Sequence, residues 1–149
     1  MKTKLSIILL FVFTSSAFAV NLFSSQGNNE PWTPQQLLSP ADLAKALNNP
    51  NLAQPIVFCV GPQAIIKGSI EIGPAMKKEN LEKLKLKLDK LPKNASIVIY
   101  CGCCPYDRCP NIRPALVLLG SMQFKNYKLL DLPRNVKVDW IDPGYPVND

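Results

Sequence analysis

"SIVIYCGCCPYDRCPNIRPALVLLGSM", residues 96–122, joins an apolar run, a cysteine-rich loop and a helical pattern end to end. Ser96 to Tyr100 is a short, continuous apolar run of the kind a buried strand makes. Asn111 to Met122 carries apolar residues at helical spacing. Asn111 is placed to cap that helix, and Pro114 falls within its first turn, where proline is tolerated. A buried strand feeding a helix through a loop is the building unit of an α/β fold. Between the two lie Cys101, Cys103, Cys104 and Cys109, four of the chain's five cysteines.

The same alternation continues on both sides. Ser39-Pro40-Ala41-Asp42 reads as a helix start, with serine at the N-cap, proline at the first helical position and an acid in the first turn. Leu43 and Leu47 supply its apolar face, and Asn48-Asn49-Pro50 ends it. Pro55 to Val60 is a second buried strand, closed by Gly61-Pro62. Residues 61–75 read as a loop punctuated by Gly68, Gly73 and Pro74. Lys78 to Leu91 places leucines at 81, 84, 88 and 91, a helical stripe closed by Pro92. Leu86 interrupts the stripe, and its alternation with Leu84 and Leu88 mimics a strand, but the length and lysine spacing favour helix. Tyr127 to Leu130 is a third strand, and Trp140 and Tyr145 in the tail are expected to pack back onto the core. The expected architecture is a small α/β domain with a mostly parallel central sheet flanked by helices.

The chain has 149 residues, room for one domain with a real core. Lys2 and Lys4, the apolar block Leu5 to Phe13 and Ser16-Ala17-Phe18-Ala19 have the layout of a secretory signal peptide. The expected division is therefore a signal peptide over 1–19, a flexible leader over 20–31 and a folded domain over 32–149. Export implies a periplasmic or secreted protein in an oxidising compartment, with no stable membrane insertion after cleavage. Loss of Lys2 and Lys4 lowers the formal net charge from +6 to about +4. The lysines between 77 and 93 read as a solvated helix face, so no nucleic-acid partner is expected. The chain has no histidine, which excludes His-based zinc, haem and triad chemistry.

The cysteine loop admits three chemistries. Ligands of open α/β sheets bind beyond the carboxyl ends of the strands, where Cys101 stands. A helix start next to it favours a thiolate, and Arg108 and Arg113 add positive charge, so Cys101 reads as a nucleophile in an anion-holding cradle. Gly102 and Tyr106 belong to the same mouth. Thiolates without histidine also suit a soft metal such as copper(I), although C-x-C-C-x4-C lacks the paired knuckles of common zinc modules. Local disulfides are the third reading, and sequence does not choose their pairing. Cys59, inside an apolar strand, reads as a small core residue.

Trp32, Leu43 to Leu47, Ile56-Val57-Phe58, Gly68-Ser69-Ile70 and Ile97-Val98-Ile99-Tyr100-Cys101 come in a telling order. Leu118-Leu119-Gly120 with Phe124, Tyr127 to Leu130, and Trp140 before Gly144 complete the series. In order and spacing they resemble a rhodanese-like domain, over roughly Trp32 to Val147. The resemblance implies a sulfurtransferase that carries sulfane sulfur as a persulfide on Cys101 and needs no cofactor. Its partners would be a small sulfur-containing anion or a thiol or persulfide donor, and a thiol acceptor. The loop is longer than the family's usual one. Cys103 stands in a C-x4-R relation to Arg108 and is a rival nucleophile, and Cys109, nearest the helix start, is another. Cys103, Cys104 and Cys109 are also candidates to resolve a persulfide on Cys101 into an internal disulfide. Cys59 and Gly61 replace the family's usual Asp and Arg, and Ser69 replaces its loop histidine. Asp107 occupies the arginine position of the related phosphatases, which argues against phosphate chemistry.

Overall fold

A computed structural model describes residues 30–149. The signal peptide and nearly all of the leader expected from the sequence lie outside the described residues. Among the described residues, no helix is long and apolar enough to cross a membrane.

Five strands form one all-parallel sheet: β1 (Leu37–Leu38), β2 (Ile56–Cys59), β3 (Ile70–Glu71), β4 (Ile97–Tyr100) and β5 (Tyr127–Leu130), in the order β1-β5-β4-β2-β3. β4 is central and pairs in register with β2, from Ile56↔Ile97 to Cys59↔Tyr100. All four of its residues are buried, as a strand covered on both faces requires. The two-residue period then sorts the side chains. Phe58, Val60, Ile97, Ile99, Cys101 and Leu129 pack with one set of helices, and Val57, Cys59, Val98, Tyr100 and Leu130 pack on the opposite face.

Helices α2 (Lys78–Leu88) and α3 (Ile112–Ser121) cover the first face. Leu84 and Leu88 are fully buried while Leu86 is 64% exposed, so the helical stripe prevails over the strand-like alternation. The helix stops at Leu88 and not at Leu91. Leu91 is reached through a turn in which its N–H donates to Leu88 O. Helix α1 (Pro40–Asn48) lies on the other face, with Leu43 and Ala44 buried. Ser39 caps it as expected, its Oγ accepting from the Asp42 N–H at 3.1 Å. Trp140, in a short π-type turn over Lys137–Ile141, is fully buried there, and Tyr145 packs against its ring at 5.2 Å.

β1 and β3 were not anticipated. Each has two residues and borrows its register from a neighbour, β1 from β5 and β3 from β2. Glu30, the first described residue, is half-buried and ion-paired to Arg113.

Candidate functional site

Cys101 directly follows β4, at the carboxyl edge of the central strand, and its side chain faces the α2/α3 layer. Gly102 comes next with φ +89°, a conformation that favours glycine. A Cβ there would stand 3.0 Å from the Val136 Cβ, and the Val136 N–H donates to the Gly102 carbonyl at 2.9 Å. Val136 is itself held in place. The buried Asp139 carboxylate accepts from the N–H groups of Arg134 and Asn135 at 2.7 and 3.0 Å and pairs with the Arg134 guanidinium. The chain therefore doubles back after Cys101 and brings the Cys103 sulfur to 3.3 Å from the Cys101 sulfur.

Beyond this turn the loop runs through a 3-10 turn, Tyr106–Arg108, anchored by the Tyr106 N–H on Leu132 O at 3.2 Å. It then descends to Cys109, which is fully buried. The Cys101, Cys103 and Cys109 sulfurs all lie within 4.8 Å of one another. All five cysteines are unbonded thiols, so no disulfide holds the loop. Cys104 is half-buried, with its sulfur 3.5 Å from that of Cys103.

Asn111 completes the site in a way the sequence did not disclose. It precedes α3 as expected, but its side chain makes no capping bond. Its Oδ1 instead accepts from the Met76 N–H at 3.1 Å, and its Nδ2 donates to the Cys101 sulfur at 3.4 Å. The side chain is 5% exposed. Anchored at one end by backbone, it aims a fixed donor at the sulfur.

These donors hold the Cys101 thiol well below its ordinary value, at about 5. The Cys109 S–H is the largest cause, and it outweighs the opposing effect of burial. The Asn111 amide, the Cys103 N–H and the Cys103 S–H add to it. The neighbours move the other way. Cys103 is pushed up to about 12 by its partial desolvation in the loop and by donating to the Cys101 thiolate. Cys109 is also raised, first by its bond to that thiolate and then by burial. Of the three clustered sulfurs, Cys101 is thus the one that ionises first.

Gly61 also lies against Cys101. A Cβ at Gly61 would overlap the Cys101 carbonyl and come within 2.9 Å of its sulfur, so only glycine fits. Cys59, one strand turn away, is fully buried on the other face of the sheet and donates to Gln63 O at 3.1 Å. Burial pushes its thiol up, in keeping with a core residue. The Tyr100 hydroxyl accepts from the N–H groups of Ile65 and Ile66 at 3.0 and 3.2 Å and bonds Ser69 Oγ at 3.0 Å. Ser69 is therefore occupied in fastening the 64–69 segment to the central strand.

Among the described residues, neither of the two arginines expected to hold an anion makes a hydrogen bond to the Cys101 sulfur. Arg113 donates to Glu30 Oε1 at 2.6 Å and to Asp107 O at 2.8 Å, and its guanidinium stacks 5.3 Å from the Trp32 ring. It fastens the start of the domain to the loop. Arg108 is exposed, and among the described residues its side chain makes no ion pair or hydrogen bond. Tyr106 packs edge-on against Trp32 at 6.0 Å and frames the outer loop. Gly102 shapes the turn and bonds Val136. A cleft of about 280 Å³ between residues 39–41 and 131–145 is lined by none of the loop cysteines. No protein-family model matches the chain, and no curated protein matches it.

Proposed function

We propose that the chain is an exported, rhodanese-like sulfurtransferase that carries sulfane sulfur as a persulfide on Cys101. The observation that supports this reading is the buried Cys101 sulfur at the end of the central parallel strand, with the Asn111 amide at 3.4 Å, the Cys103 sulfur at 3.3 Å and the Cys109 sulfur within 4.8 Å, neighbours that bear no charge of their own and favour the thiolate. Such a cradle suits a monoanion, either a thiolate or the persulfide anion it becomes.

In the loading step the Cys101 thiolate attacks the outer sulfur of a donor such as thiosulfate. A new S–S bond forms, sulfite leaves with the electron pair of the broken one, and Cys101 is left as a persulfide anion. A thiolate acceptor then takes the outer sulfur and returns Cys101 to a thiolate. Mass spectrometry and hydrosulfide detection after donor treatment test the assignment: wild type takes one sulfur atom onto Cys101, whether it is then retained or released as hydrosulfide, and Cys101→Ser takes none. A Cys101→Ser protein that gains sulfur as wild type does refutes it.

A second reading has its own observation. Three sulfurs within 4.8 Å and no histidine in the chain make a soft three-thiolate set, which suits copper(I) better than four-coordinate zinc. A copper(I) titration against a chromophoric chelator separates the readings. Retention of one copper(I) that is lost in both Cys101→Ser and Cys109→Ser favours the metal module.

A further inference from the structure

Cys101 and Cys103 are separated by one glycine at φ +89°, and the turn sets their sulfurs 3.3 Å apart. Their settings differ. Cys101 is 3% exposed, Cys109 is fully buried, and Cys103 is exposed. The Cys104 sulfur neighbours that of Cys103 and falls outside the three-sulfur cluster. Of the extra loop cysteines, Cys103 alone combines contact with the Cys101 sulfur and access to an external reagent. Atoms about 3–3.5 Å apart already stand at near-attack distance.

We propose that Cys101-Gly102-Cys103 is a resolving pair, in which Cys103 expels the sulfur accepted by Cys101 as hydrosulfide and makes the protein a dithiol-dependent reductase of sulfane sulfur. This rests on the sulfur-carrier reading and adds the fate of the carried atom. With Cys101 loaded as a persulfide anion, the Cys103 sulfur attacks the inner sulfur, that of Cys101 itself. The bond from there to the outer sulfur breaks. The outer sulfur keeps the bonding pair, takes the Cys103 proton and leaves as hydrosulfide. The sulfane sulfur is reduced by two electrons, and the two thiols are oxidised to a Cys101–Cys103 disulfide. An external dithiol supplies the electrons for the next cycle. One of its thiols, losing a proton to solvent, attacks the exposed Cys103 sulfur, and Cys101 departs as the thiolate that Asn111 and the Cys103 N–H stabilise. The second thiol of the reductant then releases Cys103 with its proton. Over one cycle, thiosulfate and a dithiol become sulfite, hydrogen sulfide and the oxidised dithiol.

The test is a single turnover of the reduced, desalted protein with thiosulfate, and separately with benzenethiosulfonate, with no reductant present. Wild type is expected to release one hydrosulfide per chain and to hold a Cys101–Cys103 disulfide in its peptide map. Dithiothreitol is expected to convert this burst into steady release. Cys103→Ser is expected to keep the extra sulfur on Cys101 and to slow the burst by about 100-fold or more, through loss of the intramolecular attack. Cys104→Ser is expected to show a wild-type burst. A burst that survives in Cys103→Ser overturns the inference. Wild type that gains a sulfur atom and keeps it overturns the inference and leaves the carrier reading standing. Wild type that neither retains sulfur nor releases hydrosulfide with either donor overturns both.

Discussion

Replacing Asn111 with alanine removes one hydrogen bond from the Cys101 sulfur and leaves the chain's other thiols in place. The bond spans 3.4 Å from Nδ2. A hydrogen bond to a charged group contributes about 1.5–3 kcal/mol, and this one, long and to sulfur, belongs at the lower end. One pKa unit corresponds to about 1.4 kcal/mol, so the variant's thiol should titrate roughly one unit higher. The assay is the pH dependence of iodoacetamide alkylation at Cys101, followed by peptide mass spectrometry. Wild type should show a midpoint at about 5, and Asn111→Ala a midpoint near 6 on the same arithmetic. Cys109→Ala, which removes the largest stabilising donor, should shift at least as far. A wild-type midpoint near the ordinary thiol value of about 8.5 would refute the cradle altogether. An unmoved midpoint in Asn111→Ala would reduce that side chain to a backbone anchor for Met76.

The same ionisation links folding to pH. Cys101 titrates lower in the folded chain than in the unfolded one, so between about 5 and about 8.5 the unfolded state binds more protons and stability rises with pH. That contribution is lost as pH falls through about 5. Cys103 is raised to about 12, so its contribution is present below the unfolded value and fades as pH climbs from about 8.5 toward 12. Melting temperatures should therefore peak between these windows, and Cys101→Ser should flatten the acid limb while sparing part of the alkaline one.

Three other substitutions probe the frame of the site. Gly61→Ala should destabilise the fold by about 3 kcal/mol in urea titration, because its Cβ overlaps backbone rather than a yielding side chain. Tyr100→Phe strands the N–H groups of Ile65 and Ile66 and should cost about 2–4 kcal/mol, with faster amide exchange confined first to residues 64–69. Arg113→Ala should lower stability by about 1 kcal/mol and leave sulfur uptake at Cys101 unchanged; a collapse of uptake would return Arg113 to the anion-holding role its sequence position implied.

Which parts of the molecule can be read from sequence follows from how local their causes are. Ile97 to Tyr100 reads as a strand without tertiary knowledge, because a parallel strand covered on both faces must be apolar throughout. Leu84 and Leu88 likewise declare the buried face of α2 by spacing alone. β1 and β3 have no such signature. Two residues show no periodicity, and Leu37–Leu38 and Ile70–Glu71 are strands only because β5 and β2 offer them a backbone edge. The position of Cys101 followed from chain order, since it ends the most buried strand, and the four-cysteine cluster was plain. Where the surrounding side chains point was not. Asn111 has the sequence position of a cap, and only the packing of residues 74–76 against the start of α3 offers its amide a better partner in Met76. Arg113 reads as an anion holder in sequence, and its contacts with Glu30 and Trp32 come only with the folded chain.

The neutral groups around the Cys101 sulfur have a chemical consequence. A convergent arginine would lower the thiol's pKa by adding a full charge, and it would bind any anion that diffused in. Here the largest stabilising donor is another thiol, Cys109, and the nearest sulfur is a third, Cys103. Neutral donors stabilise the thiolate without adding a full positive charge, and thiol donors have a second property that an arginine lacks: each can be oxidised. The groups that keep Cys101 ionised are thus also the groups able to form a bond to it. On the proposed reading, the glycine at φ +89° and the clustered sulfurs serve both ends, since Cys103 helps to stabilise the Cys101 thiolate and is also the thiol that resolves its persulfide.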